Sequence, residues 1–159
     1  MLPGPIERVW AFLTESEKRG KWLASGPLEP FVGGKVELHF LHSTLTPHAE
    51  PTPARFQSME CGTGFTGTIT RYEPPHVLAY TWGGDTSEVT FELMPKDAQV
   101  LLVITHTRLK DRDEMTCVAS GWHAHVGILE DNLLGQIPRP FWSNIDRLEA
   151  EYKRRLPVE

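Results

Sequence analysis

The sequence predicts an α+β domain in which an antiparallel sheet packs its apolar face against a long C-terminal helix. Three observations carry this. Between residues 35 and 109, apolar side chains recur at a period of two. Between residues 114 and 134, the spacing becomes that of a helix. The breaks between the alternating runs are short, so neighbouring strands connect as antiparallel hairpins.

Bulk properties fit a single domain spanning residues 1–159. With 159 residues, 40% of them hydrophobic and 23% charged, the chain can bury a sizeable core. A net charge of −5 argues against a nucleic-acid partner, because phosphate binding needs a basic face. It also gives no attraction to anionic membranes. No continuous apolar run is longer than Val100–Ile104, which is far short of a membrane span. The opening "MLPGPIERVW" lacks the basic and apolar regions of a signal peptide, so the cytoplasm is the expected compartment. Cys61 and Cys117 lie far apart in unlike contexts, which argues against a disulfide framework or a cysteine zinc site.

The elements follow in order. Pro5–Leu13 reads as a short helix, with Pro5 in its first turn and Ile6, Val9, Trp10 and Leu13 on one stripe. Thr14 and Glu17 resemble a capping box for a second short helix, Glu15–Leu23, which buries Trp22 and Leu23. Gly26-Pro27 ends it. "KVELHF" then alternates Val36, Leu38 and Phe40 against Glu37 and His39. Ser43–Ser58 carries three prolines and little pattern, and is expected to be an irregular connection with freedom to move. Strands follow at Gly64–Tyr72, His76–Trp82, Ser87–Met94 and Gln99–Leu109, broken at Pro74-Pro75, Gly83-Gly84 and Lys96-Asp97. The long helix spans about Glu114–Leu134, with Asp113 as N-cap and Gly135 just past its end. A final helix near Ser143–Leu156 carries Ile145, Leu148, Tyr152 and Leu156 on one stripe.

The stretch that looks most like chemistry is "SGWHAHVGIL", residues 120–129. On a wheel of about 100° per residue with Trp122 at zero, Met115, Val118, Val126, Leu129 and Leu133 fall within about 40°. That is the stripe facing the sheet. His125 lies about 60° to one side and His123 about 100° to the other. The two rings point about 160° apart, so they cannot share a metal; helical pairs that do so use i, i+3 or i, i+4 spacing. No metal and no cofactor is expected. His123 reads as surface. His125 either closes the edge of the core with one hydrogen bond or reaches into a space between helix and sheet.

The last strand offers a second histidine. Leu102, Ile104 and His106 share one face, and Leu101, Val103 and Thr105 the other. Both faces are apolar, so the parity stays open. If His106 faces the helix, it adds a polar group to a space bounded by Trp82, Phe91, Ile104 and Trp122. A mostly apolar pocket with a few convergent polar groups is the usual composition of a ligand site. A filled core would use the same residues.

Several stretches carry a family resemblance. "LPGPIERVWAFLTESEKRGKWLASGPLEPFVGGKVELHF", "GTITRYEPPHVLAYTW", "SEVTFELMPKDAQVLLVITHTRL" and the region from "SGWHAHVGILEDNLLG" to "LEAEYKRRLP" are similar to bacterial relatives of the activator of the heat-shock-protein-90 ATPase. That family lies within the START-like, or SRPBCC, superfamily. The resemblance covers nearly the whole chain outside Ser43–Ser58. It implies a helix-grip fold like that of birch-pollen allergens, with a curved antiparallel sheet around the long C-terminal helix and two short helices near the N-terminus. Family landmarks fall on Thr81-Trp82, Thr105-His106-Thr107 and Gly121-Trp122, which favours the His106 face as inward. The resemblance also implies a strand before "LPGPIERVW", where only Met1 stands. Without it, the edges of Lys35–Leu41 and Gln99–Leu109 lose a partner. Either something fills them or a second chain pairs there to make a homodimer.

Three functions follow. The first is a binding protein for a small hydrophobic molecule, held between sheet and helix by Trp82, Phe91, Ile104, His106, Trp122, His125, Val126 and Leu129. The second is an enzyme of the cyclase or hydrolase type in the same cavity, with His106, His125 or Tyr80 as acid or base. No nucleophile–base pair, phosphate loop or metal set marks such a site, so the catalytic residues are unassigned. The third is a partner that stimulates a chaperone ATPase, which the resemblance alone implies.

Overall fold

The structure, a computed structural model, describes residues 1–84 and 86–157, apart from the Met59 side chain. A two-residue strand β1 (Leu2–Pro3) leads into helices α1 (Ile6–Thr14) and α2 (Ser16–Arg19). Strand β2 (Lys35–Phe40) is followed by two 3-10 turns, His42–Thr44 and Ala54–Met59. Strands β3 (Thr63–Glu73), β4 (Val77–Trp82), β5 (Ser87–Lys96) and β6 (Gln99–Thr107) come next, then helices α3 (Arg112–Leu133) and α4 (Trp142–Arg155). The six strands form one sheet in the order β1-β6-β5-β4-β3-β2, antiparallel throughout. It curls around α3 as an open half-barrel of the helix-grip kind. The register of β3 against β4 shifts between Ile69 and Arg71, and such an irregularity tightens the local twist.

The alternation in β2 places Val36, Leu38 and Phe40 inside, with Lys35, Glu37 and His39 in solvent. Pairing also settles the parity of β6. Val89 opposes His106, Phe91 opposes Ile104 and Leu93 opposes Leu102. Val89, Phe91 and Leu93 are fully buried, so Leu102, Ile104 and His106 share the inner face.

Three local expectations are corrected, and one open alternative, at the edge of β2, is decided. The strand expected to be missing exists as a stub, with Leu2 opposite Val100 and Pro3 opposite Gln99. It stops there because Pro3 and Pro5 have no amide hydrogen to donate to a longer ladder. The outer edge of β2 is filled from within the chain: Ser25 bridges His39 and Leu28 bridges Val36. Buried Arg19 pins that cover, donating from Nε to the Ala24 carbonyl and from Nη2 to the carbonyls of Gly26 and Glu37. The capping box does not form, because the Thr14 hydroxyl turns back to the Trp10 carbonyl and Glu15 caps α2 without its side chain. The N-cap of α3 is Asp111 rather than Asp113, and its carboxylate accepts from the Glu114 amide at 2.9 Å. Gly135 does stand just past α3, at φ +69, a conformation that favours glycine.

The irregular segment docks on the last helix. Thr46 donates to the Pro138 carbonyl, and Arg55 pairs with Asp146 and Glu149 of α4. Phe56 stacks on Trp142 with ring centroids 5.1 Å apart. No described helix is long and apolar enough to cross a membrane.

Candidate functional site

Helix α3 is buried unevenly, and the pattern locates the site. Thr116, Ser120, Ala124 and Ile128 are buried, although only two of them are apolar. The Thr116 and Ser120 hydroxyls are satisfied by carbonyls one turn back. Met115, Val118, Trp122 and Val126, on the stripe expected to face the sheet, are only half buried. They are not fully covered because two hollows lie beside them.

The first hollow is a cavity of about 320 Å³ between the sheet, α3 and the start of α4. Its walls are mostly rings: Phe40, Phe65, Trp82, Trp122, Phe141 and Trp142. Leu23, His42 and His125 are among its buried lining groups, and exposed Thr63, Gly64 and Cys117 stand at its mouth. Gly121 lines it too, and a Cβ there would meet nothing within 4 Å. The second hollow, about 670 Å³, is an open groove lined by Leu102, Ile104, Met115, Val126 and Tyr152. His106, Val118 and Trp122 line both and form the partition.

The partition is fixed by a chain of hydrogen bonds. The Trp122 indole donates to His106 Nδ1 at 3.0 Å. Since Nδ1 accepts, the proton of the neutral ring sits on Nε2, which lies 3.0 Å from the Ser87 hydroxyl. Ser87 in turn donates to the Trp82 carbonyl at 3.3 Å. Every polar atom in this relay has a partner. A second proton on His106 would break the indole bond; burial separately lowers its pKa, opposed by the Glu114 charge. His106 therefore orients Trp122 and has no lone pair left to act as a base.

His125 is different. It is 7% exposed, and its Nδ1 lies 2.6 Å from the Trp22 carbonyl, an acceptor only. Nδ1 must therefore carry the proton, which leaves a bare lone pair on Nε2 across the ring. His42 lies 5.6 Å away, ring to ring, and is 6% exposed. Its ring stacks on Phe141 at 4.8 Å, and its buried Nδ1 has no hydrogen-bond partner. Burial lowers the His42 pKa to about 4. Burial, helped by the nearby His42, lowers that of His125 to about 3. Both rings are neutral at physiological pH.

The remaining titratable groups do not supply a nucleophile. Partial desolvation and the Glu149 charge push the Cys117 thiol up, away from thiolate. The buried Tyr80 phenol is pushed up as well. Glu149 is held by Arg55 at 2.7 Å. Among the described residues, no three or more His, Cys, Asp or Glu side chains group so as to hold a metal ion.

The sequence-predicted residues divide. Trp82, His106, Trp122 and His125 meet in the ring-lined cavity. Ile104 and Val126 lie on the open groove with His106 and Trp122. Phe91 and Leu129, 1% and 0% exposed, belong to the packed core; Phe91 supports Trp122 edge to face at 5.4 Å. His123 is exposed beside the Tyr152 hydroxyl, 3.0 Å away. Sequence reasoning missed His42, Phe141, Trp142 and Gly121. For Gly121 a signal existed, because glycine inside a long helix costs stability and calls for a reason. His42 lies outside every periodic run and left none.

The family model for "Activator of Hsp90 ATPase homolog 1-like protein" matches residues 3–133. A Bordetella parapertussis protein solved by NMR is 49% identical, over 99% of this chain and 84% of that one, with a TM-score of 0.83. CalU16 from Micromonospora echinospora is 22% identical, over 96% and 80%, with a TM-score of 0.66. The Aha1 dimer from Colwellia psychrerythraea is 17% identical, over 83% and 90%, with a TM-score of 0.61. The last two show likeness of fold. No curated protein matches the chain.

Proposed function

The chain belongs to the family of proteins like homologue 1 of the activator of the Hsp90 ATPase, and from that premise we propose that it binds a small hydrophobic molecule in the cavity between sheet and α3. The observation that carries this reading is the unfilled, ring-lined space of about 320 Å³ against Gly121. That volume lies at the lower end of small-molecule sites, which run from about 300 to 1,000 Å³. A native interior is close-packed, and an apolar void of this size forfeits contacts that a ligand would restore. A cyclase or hydrolase role in the same cavity gains less support, because His106 is fully bonded and the nearby thiol and phenol are held protonated. A chaperone-directed role rests on the family's name.

Native mass spectrometry of the protein from its own host tests the reading. The expected spectrum shows one apolar molecule retained per chain. Bare protein across several growth conditions would count against it.

A second copy is the proposed protein partner, joined through β6. The edge of β2 is already filled, whereas β1 covers β6 only at Gln99 and Val100. An uncovered edge presents free amides and carbonyls to another strand. Sedimentation at micromolar concentration should show a dimer; a monomer there would remove this part of the reading.

A further inference from the structure

The histidines narrow the chemistry of the ligand. Of the three that line the cavity, His106 has both ring nitrogens engaged. His125 gives its Nδ1 proton to the Trp22 carbonyl and keeps an unused acceptor at Nε2, on the side of the ring turned from that carbonyl. Phe40, His42 and Phe141 pack around this ring, and all three line the cavity with it. Beside it, His42 has a buried Nδ1 without a partner. A buried polar atom left unmade costs free energy that a polar group on a ligand would recover.

We propose that the cavity takes an uncharged aromatic molecule bearing a hydroxyl or N–H donor, that this donor bonds Nε2 of His125, and that carboxylates are refused. The inference rests on the ligand-binding reading above. The ring-lined walls offer faces and edges for stacking, which favours a flat aromatic body. The floor offers the acceptor at His125 Nε2 and no positive charge, because burial keeps both histidines neutral. Glu149, paired with Arg55, also lines the cavity. A carboxylate would meet no Lys or Arg among the lining residues to offset its desolvation.

A matched series tests this by NMR titration of the 15N-labelled protein: naphthalene, 2-naphthol and 2-naphthoate. Naphthalene reports the cavity alone. The expected order is 2-naphthol tighter than naphthalene by about five- to tenfold, the usual worth of one added hydrogen bond, with 2-naphthoate weakest. The Nε2 resonance of His125 should shift with 2-naphthol and not with naphthalene, a readout that needs no variant. In His125→Phe, the two neutral ligands should bind equally. Equal binding to the wild type, an unmoved Nε2 resonance or a preference for 2-naphthoate would overturn the inference while leaving the cavity reading intact. Failure of all three to bind would overturn both.

Discussion

His42 and His125 sit 5.6 Å apart in apolar surroundings, and that placement has a thermodynamic consequence. Each has a folded pKa below its ordinary value of 6.5, about 4 for His42 and about 3 for His125. The unfolded chain therefore binds these protons more tightly than the folded one. The stability they contribute is fully present above pH 6.5 and is lost as the pH falls toward the folded values. Urea unfolding should show stability dropping below pH 6.5, by up to about 1.4 kcal/mol per pH unit for each histidine. Asp131 does not confuse this window. Bidentate Arg139 holds its carboxyl low, so its stabilising effect is lost only in the more acidic range below the usual Asp value. His42→Phe should remove about half of the slope. A flat stability between pH 7 and pH 5 would show that the rings are not buried and neutral. His42 also shows a limit of sequence reading. Its neighbours Phe141 and Trp142 come from a distant helix start, and no local periodicity marks that meeting.

At the scale of elements, α3 holds two glycines with opposite purposes. A Cβ at Gly127 would press on the Arg139 guanidinium, at 3.0 Å from Nη1, so glycine there lets the Arg139–Asp131 clamp lie flat on the helix. Gly121 meets nothing, and its missing side chain leaves cavity space. Glycine inside a helix costs about 1 kcal/mol relative to alanine or leucine. Gly121→Leu should therefore raise stability by about that amount, plus what burying its side chain in the hollow adds. Thermal unfolding checks it, and a lower Tm would mean that the space is not there. The element order from α1 onward, the β2 face and the sheet-facing stripe of α3 were legible because periods of two and 3.6 report which face is covered. The caps were not: Asp111 and Asp113 offer the same chemistry two residues apart, and only the turn into α3 selects between them. Half burial of the Trp122 stripe was equally hidden, since a hydrophobic period marks a face and not how closely it is packed.

For the whole molecule, sheet and helix grip each other incompletely, and the account rests on that gap being a binding site. Fully buried Phe91 and Leu129 close the core beside it, while the bonded set of Trp122, His106 and Ser87 walls the cavity from the groove along β6. Whether the gap is a site or merely loose packing is open to a direct comparison of one substitution against the wild type. Titrating both wild type and Gly121→Leu with naphthalene by NMR measures it. The account predicts saturable binding to the wild type with shifts at Trp82, Trp122 and His125, and no binding to a folded Gly121→Leu. Binding of equal strength to both proteins, or shifts confined to residues away from the cavity, would contradict it.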